Sequence, residues 1–329
     1  MECPAWLIVN SQDEVNRRLE ELLDSKVVAA TRDGVAATAF TIQPDTSVWV
    51  RTFIPTTPAP AHLQLPVFFY FHGGGFVAMS ANSAFPDSFC RYLCKTFQAI
   101  VVSVDYRKAP DYRYPTAYDD CYAAVQWLAT GSAAAAAAAG QGEAPLQEAD
   151  LSRCFLVGES AGGNIVHHVA CRLASHAAMK GRLTVLGNLV LAPFFGGEER
   201  TPAELRLMKV DPFLDYDKCD ACWRKFLPAG ANRDHPAVNV SGPEAPDLRG
   251  LPLAPFLVTV GEYDSTKDWQ LRYVKSLQRM GHHVHLHFYK GGIHCFHCLP
   301  DLALSSVFRA DLEHFVHSKL LPTTTTTSF

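Results

Sequence analysis

Ser160 is the residue whose setting points most directly to chemistry. It stands in Val157-Gly158-Glu159-Ser160-Ala161-Gly162-Gly163-Asn164, after the apolar run Cys154-Phe155-Leu156-Val157 and before a helical pattern opening at Ile165-Val166. Gly-x-Ser-x-Gly between a strand and a helix is the pattern of a nucleophile elbow. The turn is expected to be so tight that only glycine fits two residues to either side, at Gly158 and Gly162. Such a turn lifts the Ser160 hydroxyl clear of the strand ends, above the start of the next helix. Backbone N–H groups there favour negative charge.

A serine hydroxyl needs a base, and the base needs a partner that fixes its tautomer. Gly261-Glu262-Tyr263-Asp264 follows the apolar run 256–260, and Lys290-Gly291-Gly292-Ile293-His294 follows the run 284–289. Serine, then acid, then histidine, each after a strand, is a known order for such triads. Asp264 is expected to orient His294, and His294 to take the Ser160 proton and return it to a leaving alcohol. Upstream, the run 66–71 ends at His72-Gly73-Gly74-Gly75. The N–H groups of Gly74, Gly75 and Ala161 are then the expected donors to the oxyanion of a tetrahedral intermediate. His72 and Gly73 are read as shaping that loop, His72 through a hydrogen bond to backbone.

Other residues compete for these roles. His297 is a second candidate base, and Glu262 a second candidate acid on the same side as Asp264. His283, His285 and His287 alternate along a strand and read as outward-facing positions. Asp268 reads as a helix cap, and Asp105 with Arg107 as an ion pair bracing the loop.

The elements that must position these residues follow from hydropathy patterning. Residues 13–28 read as an amphipathic helix, and 35–42 and 47–54 as strands, with a loop at 55–60. A continuously apolar strand at 66–71 suggests burial on both faces. A helix at 83–97, a strand at 99–104 and a helix at 116–129 come next. Residues 131–145, with their alanine run, read as a low-complexity insertion without chemistry. After the elbow strand and its helix (to about 179) comes a strand at 185–191. The stretch 193–250 lacks the strand–helix rhythm and holds one helix candidate, 218–226. Alternation resumes with a strand at 256–260, a helix at 267–280, a strand at 284–289 and a helix at 302–317, before a disordered tail at 321–329. This alternation implies a mostly parallel sheet with helices on both faces, and ligands at the carboxyl ends of its strands.

The totals narrow the function classes. A chain of 329 residues, 48% hydrophobic and 19% charged, suits one large α/β domain. A net charge of -4 without a basic cluster argues against nucleic acid. No run reaches the roughly 18 apolar residues of a membrane span, and the N-terminus has no basic segment of a secretory leader. The 10 cysteines are read as thiols rather than as a metal site; Cys295 and Cys298, flanked by His294 and His297, are the nearest approach to ligand spacing and are not read as zinc ligands. Reduced thiols in the cytosol are the expectation, with nuclear access open.

HGGG, Asp105-Tyr106-Arg107, Gly-Glu-Ser-Ala-Gly-Gly-Asn and the late Asp264 and His294 together resemble the hormone-sensitive-lipase-type α/β-hydrolases, in particular the plant carboxylesterases. The resemblance runs from about 15 to 317. It implies the α/β-hydrolase fold, with a cap drawn from about 1–30 and 193–250, and a Ser-His-Asp carboxylesterase working without metal or organic cofactor. Segments 80–84, 185–188, 196–201, 226–228 and 234–237 are similar to the gibberellin-receptor branch. Receptors of that kind carry an aliphatic residue where His294 stands and serine where Gly75 stands. A receptor tyrosine that helps hold the hormone falls on Pro86, and the segment similar to the end of their N-terminal lid begins near Asp13. These departures favour an esterase over a hormone-binding protein that recruits a protein partner. Phe76, Phe194, Phe195, Phe213 and Leu214 are candidate lining residues for a small, largely apolar ester. Ordinary core packing is an equal reading for each of them.

Overall fold

In the computed structural model, residues 25–57, 64–131, 145–207, 210–211, 214–299 and 302–321 are described. Among them, eight strands form one sheet: β1 (Val35–Gln43), β2 (Val48–Pro55), β3 (Leu65–Phe71), β4 (Ile100–Asp105), β5 (Ala149–Glu159), β6 (Val185–Leu191), β7 (Phe256–Gly261) and β8 (Val284–Tyr289). Their order is β1-β2-β4-β3-β5-β6-β7-β8. The β1–β2 and β2–β4 pairings are antiparallel, and every pairing from β4 through β8 is parallel.

The helices are α1 (Ala84–Phe97), α2 (Thr116–Ala129), α3 (Ala161–Ser175), α4 (Pro202–Leu207), α5 (Tyr216–Phe226), α6 (Lys267–Arg279) and α7 (Ala303–Leu320). Alternation along β3 shows how they divide. Val67, Phe69 and Phe71 belong to one core with α2, α3 and α6, while Phe68 and Tyr70 belong to the other with α1 and α7. Both faces of β3 are thus covered, and all seven of its residues are buried. This is the expected doubly wound α/β-hydrolase arrangement, and it brings the ends of β3, β5, β7 and β8 together at one edge.

Several expectations need correction. Residues 25–28 are not the end of a helix: Lys26 pairs in antiparallel fashion with Ser83. The rest of that expected helix lies outside the described residues, as do most of the 131–145 insertion, half of the 55–60 loop and all but the first residue of the tail. Arg51 and Arg91, both bonded to the buried Asp87, donate to the carbonyls of Val27 and Ala30 and so hold this segment extended. In the 193–250 stretch, α4 was not expected. It starts with a capping box in which Thr201 N–H donates to Glu204 Oε2 (2.7 Å) and Glu204 N–H to Thr201 Oγ1 (3.3 Å). The α3 helix also ends at Ser175, followed by a separate 3-10 turn at Ala177–Met179.

Aromatic packing fixes the 193–250 stretch over the carboxyl ends of the strands. Phe194 stacks on Trp223 of α5 at 4.2 Å, and Phe76 stacks on Phe226 at 3.8 Å. Asn164, the last residue of the elbow motif, ties the same stretch down through its amide, which donates to the carbonyls of Phe194 and Ala237.

Candidate active site

Ser160 occupies the turn between β5 and α3 with φ 54° and ψ -119°, a backbone conformation that L-residues rarely adopt. Surrounding structure holds it there: its N–H donates to Leu191 and its carbonyl accepts from Phe194. The flanking glycines are demanded by space. A Cβ on Gly158 would lie 2.4 Å from the backbone of Gly162, and one on Gly162 only 1.8 Å from the Phe71 carbonyl oxygen.

The loops after β7 and β8 bring the two other expected residues to this serine. His294 Nε2 is 2.9 Å from Ser160 Oγ, and His294 Nδ1 is 2.8 Å from Asp264 Oδ2. An ionised carboxylate only accepts, so Nδ1 carries the proton and Nε2 is left to accept from the serine hydroxyl. Asp264 has further donors. Gln270 Nε2 reaches Oδ2 at 2.8 Å, and the Thr266 N–H and hydroxyl reach Oδ1 at 2.8 and 2.7 Å. Burial alone would raise this carboxyl, but His294 and the donors outweigh it and hold Asp264 below its ordinary value. Burial likewise opposes charge on His294, and the adjacent Asp264 overcomes it, raising the imidazole well above its ordinary value.

Across the site, the loop after β3 turns through Gly74 (φ 99°) and Gly75 (φ 60°). Among the described residues, the N–H groups of Gly74, Gly75 and Ala161 have no protein acceptor. The loop is braced from below. Gly73 N–H donates to Glu159 Oε1 at 2.6 Å, and the Tyr70 hydroxyl to the same oxygen at 2.9 Å. Tyr106 donates its hydroxyl to the carbonyls of His72 and Gly73 and stacks on the His72 ring. His72 Nδ1 donates to the Gly73 carbonyl at 2.8 Å, and burial pushes this histidine down to about 3. It therefore stays neutral.

The competing residues sort themselves by position. His297 is enclosed by Phe89, Phe296 and Phe308, and neither ring nitrogen has a hydrogen-bond partner. Burial pushes it down to about 3. Glu262 accepts from Gly291 N–H rather than facing His294. His283 and His285 are exposed, and His287 reaches Asp311. Asp268 accepts from Ala203 at the start of α4, so it serves a different helix from the one it begins. Arg107 does not pair with Asp105 as expected: it makes a two-oxygen pair with Asp120 of α2, while Asp105 accepts from Ala81 N–H and pairs with Lys108.

Phe76, Phe194 and Phe195 are buried and packed against other rings, Phe195 against Tyr273 at 4.6 Å. Leu214 is partly buried against the same core, and Phe213 lies outside the described residues. Glu159, Gln270 and Tyr106 carry much of the support and were not singled out from sequence. Glu159 lay inside the elbow motif at its variable position and Tyr106 inside Asp105-Tyr106-Arg107, whereas Gln270 lay in no motif.

The alpha/beta hydrolase fold family matches residues 68–298, most of the chain and all of this geometry. The chain belongs to that family. The gibberellin receptor GID1C of Arabidopsis thaliana is 40% identical over 299 residues, covering 87% of this chain and 82% of the receptor. The 3-O-acetylpapaveroxine carboxylesterase CXE1 of Papaver somniferum is 33% identical over 284 residues, covering 84% and 86%. In fold, the chain resembles a bacterial heroin esterase with a TM-score of 0.72 at 23% identity, covering 93% of this chain and 90% of that one. This alpha/beta hydrolase is thus of the esterase type, with plant relatives that are both receptors and carboxylesterases. No helix among the described residues is long and apolar enough to cross a membrane.

Proposed function

We propose that the chain is a carboxylic-ester hydrolase in which Ser160 is the nucleophile, His294 the base and Asp264 its orienter. The observation that carries this reading is the continuous hydrogen-bonded line from Ser160 Oγ through His294 to Asp264. Ser160 attacks the ester carbonyl as His294 takes its proton. The N–H groups of Gly74, Gly75 and Ala161 receive the oxyanion. The imidazolium, stabilised by Asp264, protonates the leaving alcohol, and an acyl-enzyme remains. Water then attacks the acyl group while His294 again takes a proton, and the acid leaves as Ser160 is restored. Turnover of p-nitrophenyl acetate that disappears in Ser160→Ala tests this; equal turnover by the variant would sink it.

The 40% identity to a gibberellin receptor favours a second reading, hormone binding without turnover. Two features weigh against it. His294 supplies the base, and the site is built around glycine at 75: a Cβ there would stand 2.6 Å from Cys222 Sγ. Calorimetry with gibberellins decides it, and on the esterase reading no heat of binding is expected. We read the whole chain as one α/β-hydrolase domain whose cap comes from the N-terminal segment and 193–250. No two of the described cysteines are joined by a disulfide, which suits the cytosol.

A further inference from the structure

The turn that delivers His294 carries two cysteines that the hydrolytic cycle does not use. Cys295 is buried with φ 50°, and Cys298 is partly exposed at the end of a one-turn 3-10 helix, Phe296–Cys298. Cys298 N–H donates to the Cys295 carbonyl at 2.9 Å, so residues 295–298 close a four-residue turn. Such a turn brings its end Cα atoms within about 7 Å, and disulfides span Cα separations up to about that distance. The side chains already meet: the Cys295 thiol lies against both the Cys298 side chain and the His294 ring. Cys298 also neighbours Tyr70, whose phenol is pushed well up by burial first and then by nearby groups including Glu159, Cys90 and Cys298. The pair therefore lies beside the proposed base.

We propose that Cys295 and Cys298 form a dithiol that peroxide oxidises to a disulfide, and that closing it displaces His294 and switches the hydrolase off. The inference rests on the esterase reading above. Burial pushes the Cys295 thiol well up, so the first attack falls to the more exposed Cys298. Its thiolate attacks one peroxide oxygen, the O–O bond breaks, and hydroxide leaves and takes up a proton as water. Cys298 is then a sulfenic acid. Cys295 sulfur next attacks Cys298 sulfur as His294, against it, accepts the thiol proton. The S–O bond breaks and a second water leaves. Two thiols and one peroxide give one disulfide and two waters, a two-electron oxidation. Because Cys295 directly follows His294, tightening the turn moves an imidazole that must stay aligned with Ser160. A misplacement of about 1 Å costs on the order of a hundredfold in rate.

The test treats the full-length protein with hydrogen peroxide, then with dithiothreitol, and reads ester turnover and the mass of tryptic peptide 291–309. The expected result is a peptide lighter by two hydrogens, turnover reduced about a hundredfold, and both changes reversed by the reductant. Cys298→Ala and Cys298→Ser, which leave basal turnover intact, should resist peroxide. A peptide that stays a dithiol overturns the proposal. So does a disulfide that forms while turnover persists, or inactivation that is equal in the Cys298 variants. A protein with no turnover before oxidation refutes the esterase reading instead, and the peptide mass still decides whether the dithiol closes.

Discussion

Two buried carboxyls stand on either side of Ser160, and their surroundings treat them in opposite ways. Asp264, in the loop after β7, accepts from His294, Gln270 and Thr266, and this set of donors keeps it ionised. Glu159, at the end of β5, accepts from Gly73 and Tyr70 through one oxygen while Oε2 is buried without a partner. Burial pushes Glu159 up to about 8 against the pull of those two donors. Both residues are fully enclosed in the same fold, so the number and placement of donors, not depth, separates them. In the proposed mechanism, Asp264 stabilises charge on the base. Glu159 positions backbone without bringing a second negative charge to the proposed oxyanion site.

Converting the ionised carboxyl to a neutral group breaks this contrast most severely. Asp264→Asn places an amide NH2 beside His294 Nδ1 and selects the tautomer with its proton on Nε2. Ester turnover should then fall about 10⁴-fold with little change in KM; a loss under tenfold would show that Asp264 is dispensable. Next in size is the acid limb of kcat/KM. The base works only when neutral, and Asp264 holds a proton on His294, so turnover should appear at a pH above the ordinary histidine value of about 6.5. A limb below that value contradicts the pairing.

The other carboxyl is tested through stability. Between an unfolded value of about 4.3 and a folded value of about 8, the native state holds one proton more than the unfolded state at Glu159. Its contribution to stability is therefore full below that window, falls as pH rises through it, and levels off above. Glu159→Gln cannot ionise and should flatten this decline in urea titrations across the window while keeping turnover near wild type at neutral pH. An unchanged slope would mean that Glu159 is ionised in the native protein. The smallest effect is expected from Tyr70→Phe. It removes one donor to Glu159, costs about 1 kcal/mol in unfolding free energy, and moves the end of the decline to higher pH.

The same contrast shows what the sequence could reveal. Asp264 was legible because it closes a glycine-bounded turn after an apolar strand, in chain order with Ser160 and His294. The buried parallel strand β3 was legible as an unbroken apolar run. Glu159 carried no such signal: nothing in its spacing shows a side chain turned back toward Gly73, 86 residues away in the chain. Arg107 misled for a related reason, since its neighbour Asp105 is close in sequence while its partner Asp120 is set by how α2 packs beside β4. The α4 helix was missed although Thr201 and Glu204 spell its capping box, because six residues give no apolar period to read. Candidate lining aromatics such as Phe76 and Phe194 could not be told from core by hydropathy, and both are buried in ring-on-ring contacts.

The central claim is that Ser160 is an activated nucleophile. Intact mass and peptide mapping after treatment with a fluorophosphonate test it most directly. One adduct on Ser160 in the wild-type protein, lost in Ser160→Ala and strongly slowed in His294→Ala, is the predicted result. A wild-type protein that takes no adduct, or takes it on another residue, would contradict it.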